Sequence, residues 1–460
     1  MIKSQYQWTI FSIIATGSFL GMLDSSTVNV ALYKISESFN AKLEDVQWVI
    51  TAYMLVLTIF LPLFGRLCDN FSKKKLYTLG FIFFALGSFL NTTAANLSLL
   101  ITFRCIEAIG ASILLSNSTA IVASIFKNKK RGKALGILGG IIALGGMTGP
   151  AVGGVLINFF SWRAVFVPAI PIALLGAYFS YRIIPNNCIE TKFKFDTFGF
   201  ITFAIFMTSL LMLTTKARIW GFDSFCTVMT SIAFLFFGIL FVIIEKHTKC
   251  PLVKFELFKD KSFTLGNIAL SLSYMGLFAN GVLFPLYFQE ILKFSPMKVG
   301  FLVLPFSIAL VSTAPIAGNL AGRYGSRILT TLGPICVSAG LLIFTTFKLQ
   351  AEIMHIIVAQ FLLGLGNGLF QSPTNTAIMN TANKENRGSA SGILALFRNT
   401  GMIIAVSMAI SIFDTLLKIF TSHNISYQNA YLKAYHITLF IGIISSLLCS
   451  FISNIAYRKK

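Results

Sequence analysis

Apolar runs recur from one end of the chain to the other, separated by short polar loops, and many approach the roughly 20 residues that cross a bilayer. Fourteen such runs are read, at 9–32, 47–67, 76–95, 98–126, 133–159, 164–184, 197–216, 224–245, 263–288, 298–321, 328–347, 353–380, 389–415 and 434–457. The pattern predicts an all-α integral membrane protein with fourteen transmembrane helices. The first run is too long, and is followed by too many others, to be a cleaved leader.

An internal repeat organises these runs. "KRGKALGI" (130–137) is echoed by "NRGSASGI" (386–393), so that Arg131/Arg387, Gly132/Gly388, Ala134/Ala390 and Gly136/Gly392 stand 256 positions apart. "IGAS" (109–112) pairs with "LGNG" (365–368) at the same offset, and "GRLCDNFSKKK" (65–75) has a weaker echo in "GNLAGRYGSR" (318–327). That offset exceeds one six-span half by enough for two further spans. The predicted layout is a six-helix bundle over 1–184, an inserted helix pair with its linkers over 185–262, and a second, pseudo-symmetric six-helix bundle over 263–460. Parallel halves of this kind build alternating-access transporters, with the site at the midplane between them.

Composition agrees. Of 460 residues, 55% are hydrophobic and 12% charged, against about 25% charged in soluble domains. The formal charge of +21 suggests nucleic acid at first sight, but the basic residues cluster in loops between spans and no soluble domain presents them. By loop counting, roughly 25 Lys and Arg fall on one side against about 10 on the other, which makes the basic side cytoplasmic, with both termini there. The expected location is the cell membrane. The seven Cys include no C-x-x-C pair, and the four His lack ligand spacing, so no metal or cofactor is expected. Walker loop and nucleophile elbow are both missing from the sequence, so neither enzyme chemistry nor ATP as energy source is expected.

The charges inside the spans carry the chemistry. Asp24 lies in the first run, where a carboxylate costs roughly 2.5–3.5 kcal/mol on insertion scales. Such an acid must have a partner or a job, and proton exchange is a job that suits it. Arg104 and Glu107 stand three apart on one face of the fourth run. Two readings stand: a static bridge between those two, or Arg104 facing Asp24 with Glu107 left for a proton or a cationic solute. Arg104 aligns with Gln360 in the repeat, so this charge belongs to one half only. Arg398, inside the thirteenth run, also needs a partner or a wet cavity.

Four stretches together resemble the major facilitator superfamily, in its fourteen-span drug:proton antiporter branch, over nearly the whole chain. "LDSSTVNVAL" (23–32) is similar to the branch's first-span signature, with Asp24 in the acid's place and Asn29 in the amide's. "GRLCDNFSKKK" resembles the loop motif G-x-L-x-D-x-x-G-R-K, with Ser72 where the family usually has Gly. "LLITFRCIEAIGAS" (99–112) resembles the fourth-span motif, but Glu107 replaces its Gln and Ala108 its Gly. "GGMTGPAVGG" (145–154) resembles the fifth-span antiporter motif, which marks exporters.

The resemblance implies proton coupling through Asp24, Arg104 and Glu107. It implies gating through Gly65, Asp69 and Lys74 and through Gly145, Gly149, Pro150, Gly153 and Gly154, whose small size lets helices of opposite halves close. Solute contacts are expected from Asn29, Tyr53, Glu107, Asn280, Phe284, Gln371 and Arg398. Aromatic walls suit flat hydrophobic cations. The expected function is proton-coupled export of hydrophobic or cationic compounds by a monomer whose partners are protons, solute and lipid. The alternative is a dedicated exporter of an endogenous solute such as a siderophore, lipid or metabolite, and an anionic one would suit Arg398. A non-transporting membrane sensor on the same fold is disfavoured by Asp24 and the intact glycine motif.

Overall fold

The computed structural model describes residues 4–126, 129–185, 196–221, 223–248, 251–294, 296–348, 352–423 and 425–458. Among these there is no β-strand. The long helices are α1 (Ser4–Phe39), α2 (Trp48–Asn70), α3 (Lys73–Thr93), α4 (Leu97–Ile125), α5 (Lys129–Phe159), α6 (Ala169–Ile183) and α7 (Thr197–Trp220). They continue with α8 (Phe225–His247), α9 (Lys261–Glu290), α10 (Pro296–Tyr324), α11 (Arg327–Thr345), α12 (Ile353–Thr381), α13 (Arg387–Ser422) and α14 (Tyr427–Ala456). Eleven candidate spans among the described residues are long and apolar enough to cross a membrane. The count of fourteen crossings predicted above is therefore matched only in part. Helices α1, α5 and α9 are not among those eleven.

Helical backbone satisfies its own polar groups, as lipid demands. The N–H groups left over at helix starts are met by side chains where the sequence supplies them. Asn96 accepts from Leu99 N at 2.9 Å, Asp196 from Gly199 N at 2.9 Å, and Asp260 from Ser262 N and Phe263 N at 2.7 and 3.1 Å. Ser72, at the position where Gly was expected, caps α3 by accepting from Lys75 N at 3.4 Å. Gly325 closes the turn from α10 into α11 at φ +88°, a region that L side chains rarely enter. The sixth predicted run begins late as an α-helix, because Trp162–Val165 forms a 3₁₀ turn instead.

Packing divides the helices into two sets. In the first, α1 lies along α5, α4 is gripped between α2 and α3, and α6 covers α3. In the second, α12 is packed by α10 and α11, and α14 by α9 and α11. The sets meet along α2–α13, α4–α13, α5–α10 and α5–α12. Helices α7 and α8 form a hairpin that leans on α2 and α13, with Phe60 of α2 in edge contact with Phe200 of α7 at 5.2 Å. Helix α8 turns Phe225, Ile232, Leu235, Phe236 and Ile239 outward, an apolar face suited to lipid.

Candidate functional site

The centre of the first set is an ion triad. Arg104 Nη1 of α4 donates to Asp24 Oδ2 of α1 at 2.6 Å and to Glu107 Oε2 of its own helix at 2.5 Å. Arg104 and Glu107 are 0% exposed and Asp24 5%. One guanidinium thus makes both of the contacts weighed in the sequence, to Glu107 and to Asp24, and Glu107 is not left over. Its planar fork also sits over the Tyr53 ring at 4.0 Å and the Phe166 ring at 5.6 Å, which limits the ways it can turn. Tyr53 is itself fixed, its hydroxyl donating to Gly21 O at 3.2 Å.

The two carboxylates differ. Glu107 is saturated: besides Arg104, Ser88 Oγ donates to Oε1 at 2.5 Å and Asn91 Nδ2 to Oε2 at 2.6 Å. Helix α3 reaches it because the crossing is stripped of side chain, with the ideal Cβ position of Gly87 only 2.5 Å from Glu107 Cα. Asp24 keeps Oδ1, and Arg104 keeps Nη2, without a hydrogen-bond partner among the described residues. Ser88 and Asn91 are residues that the sequence reading missed. Their signal was there, a polar pair three apart in an apolar run, the same spacing as Arg104 and Glu107.

At the basic face the two sets are shut against each other. The ideal Cβ of Gly65 would lie 2.7 Å from Gly388 O, and that of Gly132 would lie 2.5 Å from Gly318 O. By the repeat, these are the same contact made twice. Asp69, at the end of α2, accepts from Gly388 N at 2.6 Å, Ser389 N at 2.8 Å and Ser389 Oγ at 2.7 Å. It thereby caps α13, where free N–H groups and the positive end of the helix dipole favour an anion. Deeper in, Thr119 bonds Ser391, and Asn399 Nδ2 donates to Thr58 Oγ1 at 2.5 Å. Lys74 does not join these contacts. Its ammonium lies over the Tyr181 ring of α6 at 4.5 Å.

The glycine motif of α5 is placed differently from the expectation. Gly145, Gly149 and Gly153 press on α1 of their own set, against Phe19 and Met22, Ser26 and Thr27, and Thr27 respectively, while Gly154 has open space beside it. The cross-set contacts come from Gly132 and Gly136, one stripe earlier on the same helix. The reason is helical phase. Thirteen residues at about 100° each turn the second stripe to roughly the opposite side of the helix. The side chain of Pro150 lies outside the described residues.

The expected solute contacts do not converge as a group. Asn29 is exposed on α1. Phe284 is packed into the second core, 4.3 Å from the Phe288 ring and 5.5 Å from that of Phe344. Glu107 belongs to the triad and Tyr53 packs against its guanidinium, while the side chain of Asn280 lies outside the described residues. Gln371 and Arg398 each neighbour a residue not foreseen, Tyr274. Gln371 Nε2 of α12 bonds the hydroxyl of Tyr274 of α9, which lies within electrostatic reach of Arg398 of α13. Gln371 also faces Gly139 of α5, its Oε1 3.3 Å from the ideal Cβ position there. Arg398 is 3% exposed, and its Nη1 finds no hydrogen-bond partner among the described residues.

Comparison with known proteins agrees with this architecture. The family model described as Major Facilitator Superfamily matches residues 14–406. The chain is 32% identical over 445 residues to the riboflavin transporter RibZ of Clostridioides difficile, covering 95% of this chain and 96% of that one. It is 28% identical over 402 residues to the multidrug resistance protein Stp of Mycobacterium tuberculosis, covering 87% and 75%. Among solved structures, the proton:xylose symporter XylE superposes with a TM-score of 0.66 at 15% identity, over 97% of this chain and 95% of that one. The family model, the similarity to RibZ and the helix order lead to one conclusion: the chain belongs to the Major Facilitator Superfamily and is a multi-pass membrane transporter of small molecules.

Proposed function

We propose that this chain is a proton-coupled exporter, in the fourteen-span antiporter arrangement, that works by alternating access between its two six-helix sets. The single observation behind this reading is the sharing of one buried guanidinium by two buried carboxylates. With both acids ionised the triad carries one net negative charge, and one proton makes it neutral. Asp24 is the member that takes it, through Oδ1, which has no hydrogen-bond partner among the described residues. Glu107, saturated by α3, remains the fixed counter-charge. A proton on Asp24 releases α1 from Arg104. Helix α1 is packed along the glycine stripe of α5, and α5 bears the Gly132–Gly318 gate contact. Loosening at Asp24 therefore reaches the gate through one helix. The basic face is taken as cytoplasmic, so the closed gate there corresponds to an outward-facing protein, ready for a proton from outside.

Two substrate readings follow from different observations. The group of Tyr274, Gln371 and Arg398, polar and positively charged with no carboxylate in it, supports a dedicated solute that is flat and bears hydrogen-bond acceptors. The similarity to RibZ along the whole chain supports the same reading and suggests a flavin-like compound. The similarity to Stp supports the broader reading, export of hydrophobic or cationic drugs. The deciding test is pH-gradient-driven transport in proteoliposomes, with riboflavin and ethidium as the two solutes, for the native protein and Asp24→Asn. Gradient-driven movement of either solute that disappears in Asp24→Asn supports proton coupling at Asp24. Movement that persists in Asp24→Asn overturns it.

A further inference from the structure

The inserted hairpin has no part in the proton triad or in the Arg398 group, yet it carries a buried carboxylate. Glu245 lies at the end of the lipid-facing helix α8 and is 2% exposed. Burying a carboxylate is costly unless its oxygens are paired. Here they hold the chain that leaves the hairpin: Oε1 accepts from Leu252 N at 3.1 Å and Oε2 from Val253 N at 3.2 Å. Gly199 lets the first turn of α7 close over this grip, its ideal Cβ position being 2.8 Å from Glu245 Oε1. Arg66, buried near the end of α2, lies within electrostatic reach of the same carboxylate.

The next residue reaches the other side of the gate. Lys254 Nζ donates to Asn386 Oδ1 at 2.5 Å, immediately before α13, and lies within electrostatic reach of Asp69. Burial and the Arg66 guanidinium hold its ammonium below the usual lysine range, while Asp69, Glu256 and Glu385 pull the other way. Further along, the Phe258 ring lies 6.2 Å from that of Phe397 on α13.

We propose that residues 252–259 form a strap across the α2–α13 gate, with Glu245 and Lys254 as its positioning residues. Glu245 anchors the strap beside α2, and Lys254 holds the start of α13. Opening the basic face parts α13 from α2. Asp69 must then release Gly388 and Ser389, and Lys254 must release Asn386. The strap is a second lock on that seam and gives the inserted hairpin a function: it holds the transporter outward-facing. This inference rests on the alternating-access reading.

Cys68 supplies a reporter. It is buried at the gate, its Cβ 2.9 Å from the ideal Cβ position of Gly388. The experiment keeps Cys68, replaces the other six cysteines by Ser, and measures its labelling by an impermeant maleimide from the basic face of vesicles. Asp69→Asn serves as the reference for a loosened gate. Lys254→Ala should raise the labelling rate about tenfold, the effect of losing one charge-assisted hydrogen bond across a two-state gate. Lys254→Arg should restore it. Asn386→Ala should match Lys254→Ala, with no further rise in the double variant, because both remove the same bond. If Asp69→Asn raises labelling and Lys254→Ala does not, the strap is wrong and the gate stands. If Asp69→Asn leaves labelling unchanged, the gate reading itself fails and the strap falls with it.

Discussion

Gly65 and Gly388 meet backbone to backbone across the α2–α13 seam, with no room for a methyl group between them. Overpacking of this kind costs about 1–3 kcal/mol, and here it is charged to the closed state alone. Gly65→Ala should therefore shift the protein toward an open basic face without unfolding it. Spin labels at Lys75 and Glu385, exposed on either side of the seam, should show a longer mean distance in the variant than in the native protein. An unchanged distance distribution would count against a gate closed by glycine contact.

The α5 motif offers an internal control. Gly149→Ala drives a methyl group into Ser26 and to 2.7 Å from Thr27 N, whereas Gly154→Ala meets open space. The first substitution should lower the melting temperature and slow transport by the same overpacking, about 1–3 kcal/mol. The second should lie within about 0.5 kcal/mol of the native protein. Equal damage at both positions would mean that the motif works through something other than its fit to α1.

The proposed mechanism makes Asp24 the titrating acid of the triad and Glu107 the fixed one. Glu107→Gln keeps an acceptor for Ser88 or Asn91, so its transport should slow yet still follow the pH gradient. Asp24→Asn should lose the gradient dependence. Arg104→Ala leaves two buried carboxylates facing each other uncompensated, and should cost about 3–5 kcal/mol, read as a large fall in melting temperature. If Glu107→Gln abolishes coupling while Asp24→Asn retains it, the roles are reversed.

Arg398 separates the two substrate readings. If it meets an acceptor on a polar solute, Arg398→Ala removes about 1.5–3 kcal/mol of binding, a loss of roughly ten- to a hundredfold in affinity. Riboflavin binding, followed by the quenching of its own fluorescence, should weaken by that factor, and ethidium binding should not. Equal loss for both would show that Arg398 holds the fold rather than the solute.

Much of the architecture can be read from the sequence because lipid imposes a simple rule: apolar runs of span length become helices. The repeat offset was equally informative, since it pairs Gly132 with Gly388, and each closes one of the two equivalent seams. The Asp24–Arg104 contact was legible as one of two alternatives, because few charges are available within the spans to pair. What the sequence hid was helix phase and long-range partnership. Nothing local tells that Gly149 faces α1 while Gly136 faces the other set. Nothing marks Ser389 as the partner of an acid 320 positions earlier. Phe284 was expected at a pocket because aromatic residues suit one, but an aromatic side chain in a bundle of helices fills a core just as well.

The charges of the triad lie on α1 and α4, with α3 and α2 of the same set around them, whereas Tyr274, Gln371 and Arg398 lie on α9, α12 and α13. On the function proposed above, engine and cargo hold thus occupy different halves of one chain. Exchange of the second half with that of a relative, by recombination or by design, can alter what is carried while the power supply is inherited intact, provided the glycine seams still mate.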